Sequence, residues 1–391
     1  MANAARRITN GPGFHWFGYY DKLEFDATDR RVLGMRAEFE GRAPGPDDVV
    51  TVGMIDIEAG DRWAELGESR AWCWQQGCML QWLPGSDSTV LWNDREADRF
   101  VCRLLDVDTG RRRTIGQPVY AVSPDGAWAV APDFSRINDM RPGYGYAGIP
   151  DPRADSPAPA ESGIRRVRLD TGESDLIVSI AEVARIPWPH GDLPEVKHYV
   201  NHLLVSPDGS RFVFLHRWYE PGTSERLTRM FVCRPDGSGL RVVSDSGDAS
   251  HFIWRDPDHV LVYCSDGGEP GMCLIDVRSR ETEMIDSAGL PSPDGHFSYL
   301  PGQNLEWIVT DGGPRGEERM CDLVLYHLPT GQVEPVASFH LPERYAGPQR
   351  VDLHPRVSRD GRRVVVDSAR EQGRQLYLVD VGGILDRYAG N

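Results

Sequence analysis

Four histidines stand at one place ahead of four successive turns. Aligned on the turn residues, "HLLVSPDG", "HFIWRDPD", "HFSYLPGQ" and "HPRVSRDG" bring His202, His251, His296 and His354 into register. Imidazoles converging at one depth are what a transition-metal ion needs. The competing reading is that each ring hydrogen-bonds a neighbouring segment's backbone, a common duty for histidine. With eleven histidines in the chain, four in four consecutive repeats favour the metal. Lys22, Met79 and Val119 hold the same position in the three earlier repeats, so an ion would lie toward the last four.

Polar residues recur at a second place, the loop between the second and third strands of each repeat. It carries Arg95; Arg136, Arg141, Tyr144 and Tyr146; His216, Arg217 and Arg226; Arg315; and Arg370 and Arg374. Singly these arginines read as solvated surface residues; recurring in one topological position, they read as a cationic rim for a carboxylate-bearing ligand. Gln76, Arg136, Arg141, Tyr146, Arg217, Arg370 and Arg374 are the expected substrate contacts. Two further stretches, "FHWFGYYDK" with Tyr20 and Lys22 and "WCWQQGCMLQW" with Gln75 and Gln76, add site candidates, although their tryptophans also suit packing. No GxSxG, P-loop, HExxH or dinucleotide fingerprint occurs.

The elements that must position these residues are hairpins. "EFDATDRRVLGM", "QWLPGSDSTVLW", "AVSPDGAWAVAP", "LVSPDGSRFVFL", "IWRDPDHVLVYC", "SYLPGQNLEWIV" and "RVSRDGRRVVVD" each place Gly, Pro or Asp turn residues between two β-rich runs. A second hairpin follows most of them, which makes four-stranded units of about 40 to 60 residues. The expected fold is all-β, a seven-bladed β-propeller in a single domain over 1–391. In it the strand before each turn lies nearest the axis. "AARRIT" precedes the first unit unused and the last lacks an outer strand, so the N-terminal segment is expected to pair there and close the ring. Residues 135–163, rich in Pro, Gly and Ser, read as a loop insertion in the third unit. A second insertion, "SIAEVARIPWPHGDLPEVK", reads as opening with a short helix.

Composition narrows the partners. A formal charge of −16 opposes polyanions, so neither nucleic acid nor an anionic membrane is an expected partner, while a small anion could meet a local arginine cluster. No run approaches the roughly 18–20 apolar residues of a spanning helix. The N-terminus shows no secretory signal, which with seven scattered cysteines gives a soluble, cytoplasmic reading. Oligomeric state is not readable.

The SPDG-type hairpins resemble WD40-like propellers of the TolB type. "NHLLVSPDGSRFVFLHRW", "SHFIWRDPD", "GHFSYLPG" with "WIVTDG", and "DLHPRVSRDGRRVVVDSAREQGRQLYLVDV" look like the oligogalacturonate lyases, over about residues 198 to 380. The resemblance implies a divalent transition metal, manganese foremost, held by three histidines and a glutamine and bound to a uronate carboxylate. His251, His296 and His354 match the histidine ligands; Pro293 stands where the glutamine is looked for. His202 is either the fourth ligand or the counterpart of a catalytic histidine. The implied activity is β-elimination on a small acidic saccharide, with His216 and His202 as candidate bases and Tyr20 or Lys22 as acid or base partners. Two rivals stand beside it: a glycoside hydrolase or epimerase using the same site, and a non-catalytic propeller that binds glycan or protein.

Overall fold

The computed structural model describes residues 5–388. It contains seven four-stranded antiparallel sheets, hereafter blades 1 to 7, and the fold class is an all-β seven-bladed β-propeller. The recurring turn word explains much of this. In 123–126, 206–209 and 358–361 the serine hydroxyl donates to the aspartate two residues on at 2.5–2.6 Å. The glycine N–H donates back to the serine carbonyl at 2.9–3.0 Å. Each glycine has φ between 68 and 72°, a left-handed geometry that costs glycine nothing and other residues strain.

Contacts gather the chain into two compact units. The first comprises Met1–Asp94, Arg103–Arg113 and Asp286–Asn391, and holds blades 1, 6 and 7. Its core lies between successive sheets: Trp16, Val52, Trp82 and Leu376 belong to one buried cluster, and Val309, Leu323, Val366 and Tyr377 to another. Blade 7 runs Arg356–Val357, Arg363–Ser368 and Gln375–Asp380, and its outer strand is Arg6–Arg7 from the other end of the chain. The expected closure by the N-terminal segment is therefore observed. Ile8 N donates to Leu376 O at 2.9 Å and the Thr9 hydroxyl to Gln375 at 2.6 Å.

One expectation about blade 1 needs correction. Its innermost strand is Phe14–Trp16, not the residues just before the turn. The chain leaves the ladder after Trp16 and rejoins it by the single bridge Phe25–Val32. Gly18, at φ 118°, makes that departure possible: a Cβ there would meet the Gln76 carbonyl carbon at 2.9 Å. The detour carries Tyr19, Tyr20, Asp21 and Lys22.

The second unit comprises Arg95–Cys102 and Thr114–Ile285 and holds blades 3, 4 and 5. In blade 3 the segment after Trp128–Ala131 opens as the helix Phe134–Met140, capped by the Asp133 side chain, where a loop was expected. The second insertion does begin with a helix, Ile180–Arg185, and Ser179 and Glu182 form its reciprocal capping box. All seven cysteines are buried thiols. Among the described residues no helix is long and apolar enough to cross a membrane.

Candidate metal centre and arginine cluster

In the first unit, His296 and His354 precede the inner strands Ser298–Tyr299 and Arg356–Val357 by two residues each. Their rings lie 4.3 Å apart, centroid to centroid, nearly perpendicular. Asp352 joins them: one ligand-type atom from each of the three lies within 4.8 Å of the others. Asp352 and His354 are separated by one residue, and the left-handed backbone at His354, φ 45°, sets the direction in which the chain leaves the cluster.

Asp311, at the end of the strand Trp307–Asp311, holds the pair in place. It accepts the His296 N–H at 2.7 Å, the His354 N–H at 3.1 Å, and His296 Nδ1 at 3.0 Å. A proton on Nδ1 facing that carboxylate fixes the tautomer and turns the Nε2 lone pair outward, as in carboxylate–histidine–metal arrangements. Gly295 is required by the same approach, since a Cβ there would lie 2.3 Å from the Asp311 carbonyl oxygen.

A buried ionic knot supports His354 from below. Arg356 reaches Glu24 at 2.9 Å and Asp367 at 2.8 Å, and also donates to the Leu353 and His354 carbonyls. Burial pushes Glu24 up to about 7, against the pull of Arg356. Asp367 in turn accepts the N–H groups of Phe17 and Gly18. The knot thus fixes the start of the blade 1 detour, whose tyrosines lie against the histidines: Tyr20 is 5.2 Å from His296 and Tyr19 5.1 Å from His354. Lys22 is buried and pairs with Asp21 at 2.8 Å. Burial lowers its pKa, partly offset by Asp21.

The second unit holds His202 and His251. His202 sits inside the strand Tyr199–Val205, at a register shift, with φ 49°. His354 and Met79, its counterparts in blades 7 and 2, share that left-handed backbone at 45° and 56°. Strain repeated at one aligned position marks a built feature. Burial pushes His202 well below the usual imidazole range, and Arg217, Arg141, His251 and Arg226 add to the effect. The same arginines surround Tyr199. Arg141 stacks on Tyr144 at 3.8 Å, and Tyr144 meets His202 edge-on at 5.7 Å. The Tyr199 hydroxyl, both amide atoms of Asn201 and Arg226 Nε are buried without a hydrogen-bond partner among the described residues. Such a cluster of cations and orphaned polar atoms suits an anion.

Several expected site residues are occupied elsewhere. His216 is fully buried. Its Nε2 faces His198 Nδ1 at 3.1 Å and its Nδ1 faces Arg229 at 3.3 Å. Because Arg229 can only donate and His198 Nε2 faces the Pro194 carbonyl at 3.1 Å, the protons run one way along the chain of rings. Both nitrogens are engaged, which removes His216 as a base. Arg136, expected at the substrate, donates to Asp151, to the His198 carbonyl and to the carbonyls of Arg153, Ser156 and Pro157. It gathers the first insertion around itself and ties it to His198, just past the second. Tyr146 is fully buried, stacked on Phe134 at 4.3 Å. Arg374 is buried over Trp74 and donates to the Gln349 and Arg350 carbonyls. Arg370 lies over Tyr377 at 4.8 Å. Gln76 is buried beneath Gly18. Asp352, Asp311, Tyr199 and Asn201 were not foreseen. An Asp-x-His spacing was the available signal for Asp352; the others depend on tertiary contacts.

Fold and site together define a seven-bladed propeller with a two-histidine, one-carboxylate cluster. The chain matches no protein-family model and no curated protein. Among solved structures it is similar to the oligogalacturonate lyase of Vibrio parahaemolyticus, with TM-score 0.67 and 14% identity over 96% of this chain and 93% of that one. It is equally similar, at TM-score 0.67 and 16% identity, to an oligogalacturonate lyase in complex with manganese, over 97% and 95% of the two chains. It is also similar to the propeller domain of the Trilobed protease from Pyrococcus furiosus, at TM-score 0.52 and 11% identity, over 93% and 96%. At these identities the likeness establishes the fold.

Proposed function

We propose that the protein is a metal-dependent lyase that cleaves a uronic-acid-containing saccharide by β-elimination. The observation that carries this reading is the grouping of His296, Asp352 and His354, with Asp311 orienting one ring and two tyrosines against both. Two imidazoles and a carboxylate fit a divalent ion of the manganese type, since oxygen donors suit harder cations than an all-imidazole set does. A divalent ion held there supplies positive charge for the uronate carboxylate and for the enolate-like charge of the transition state.

The chain's own groups handle the proton. Elimination breaks the C–H bond α to the carboxylate, forms the C=C bond and expels the β-oxygen, which takes up a proton. Lys22 is the candidate base: burial favours its neutral amine, the form that accepts a proton. The Tyr20 hydroxyl is the candidate acid. In the second unit, Arg141, Arg217 and Arg226 around His202 are proposed to bind carboxylates of the same substrate class. Manganese-loaded protein incubated with oligogalacturonates is expected to release product with the short-wavelength ultraviolet absorbance of a C=C bond conjugated to a carboxylate, and Asp352→Ala to abolish it. Absence of that absorbance across a panel of uronides sinks the proposal.

A further inference from the structure

Outside the metal cluster, the first unit has a cavity of about 330 Å³ lined by Phe14, Trp74, Tyr345, Glu40, Arg344 and Arg374, with Gln349 and Gln372 completing the wall. Its base is rigid. Arg374 lies 4.6 Å over the Trp74 ring, and Glu40 accepts from the Tyr345 hydroxyl at 2.7 Å and from the Arg374 N–H at 3.1 Å. The Glu40 charge is thereby matched by the buried Arg374. The wall thus sets two guanidiniums against one carboxylate, with Arg344, which also feels Glu40, exposed at the rim and 4.8 Å over the Tyr345 ring.

The wall is rich in unused donors. Of the five N–H groups of a guanidinium, Arg344 uses one, toward the Tyr345 hydroxyl at 3.2 Å. The side-chain amides of Gln349 and Gln372 have no hydrogen-bond partner among the described residues. Aromatic rings below, amides at the side and the exposed Arg344 guanidinium at the rim match a pyranose that bears a carboxylate: ring C–H groups against the aromatics, hydroxyls to the amides, the carboxylate to Arg344.

The cavity also adjoins the metal cluster through a short, gripped segment. Gln349, in the wall, precedes Asp352 by three residues, at most about 11 Å of extended chain. Arg374 and Gln75 both donate to the Arg350 carbonyl, and Arg350 Nε holds Asp352 at 2.7 Å. One oligosaccharide can therefore reach from the cluster to the cavity. We infer that this cavity is a second sugar-binding subsite, which holds a further uronate unit of the same chain; the inference rests on the proposed acidic-saccharide reading.

Binding on full-length, chelator-treated protein tests it apart from any turnover. Calorimetric titration with trigalacturonate is expected to give measurable binding that weakens roughly tenfold in Arg344→Ala and measurably in Gln372→Ala. Galacturonate monomer should lose little, and the uncharged maltotriose should not compete. Both residues are exposed, so folding is not at stake, and unchanged melting of each variant checks this. Parent and Arg344→Ala binding trigalacturonate equally, or no binding by the parent, would overturn the subsite. Arg344-dependent binding in a protein that yields no unsaturated product would keep the subsite and discard the lyase.

Discussion

At the scale of single residues, Asp311 and Asp352 have separable duties. Asp352 belongs to the ligand-type cluster, so Asp352→Ala is expected to purify without stoichiometric metal, as read by elemental analysis after dialysis against manganese. Asp311 orients His296 without belonging to that cluster, and such outer partners typically contribute 10- to 100-fold in metal affinity. Asp311→Asn is therefore expected to bind manganese 10- to 100-fold more weakly while keeping full stoichiometry at saturation. Gly295 admits no Cβ against the Asp311 carbonyl. Gly295→Ala should cost roughly 1–3 kcal/mol of stability, measured by urea unfolding, and weaken metal binding with it. His296 and His354 were legible because they precede similar turns at equal distance. Asp311 was not, since its partners are 15 and 43 residues away and only strand pairing brings them together.

Among the elements, the two insertions of the second unit show what local sequence cannot reveal. A short helix at the start of the second insertion was readable, and Ile180–Arg185 is that helix, but the role of His216 depends on His198, just ahead of the strand Tyr199–Val205, and on Arg229 of the strand Arg226–Cys233. Arg136 and Asp151 are both almost wholly buried and 2.9 Å apart. Removing the carboxylate leaves an uncompensated charge, so Asp151→Ala is expected to lose roughly 3–5 kcal/mol, with proteolysis within residues 132–198 as the structural readout. The histidine chain gives this region an acid sensitivity. Burial lowers His198 to about 4 and pushes His216 well below the usual imidazole range, with Arg229 acting on both and Arg136 on His198. The unfolded chain, with imidazoles near 6.5, binds more protons than the folded one below that pH, so their contribution is fully present above about 6.5 and declines toward 4. Denaturation from pH 7 to pH 5 should show His198→Gln losing less stability on acidification than the parent. An equal loss would show that the pair does not titrate on unfolding.

For the molecule as a whole, most of the architecture was legible because it is written in repeated local chemistry. The Ser-x-Asp-Gly turns at 123–126, 206–209 and 358–361 make the same hydrogen bonds, and an unused N-terminal segment beside a last unit short of its outer strand pointed to their pairing. The inner strand of blade 1 escaped because the glycine-permitted detour separates it from its turn. The N-terminal pairing should matter for stability: Ile8 is fully buried and the strand covers the edge of Gln375–Asp380. Deleting residues through Thr9 is expected to lower the melting temperature and promote aggregation, seen by light scattering on heating. The same pairing sets a timetable for synthesis. Thr9 and Gln375 are 366 residues apart, and at about 5–20 residues per second a ribosome takes roughly 20–70 s to deliver the second after the first. Through that interval the outer strand of blade 7, made first, waits for its partner, and whatever attends it on the ribosome must release it before that blade can be finished.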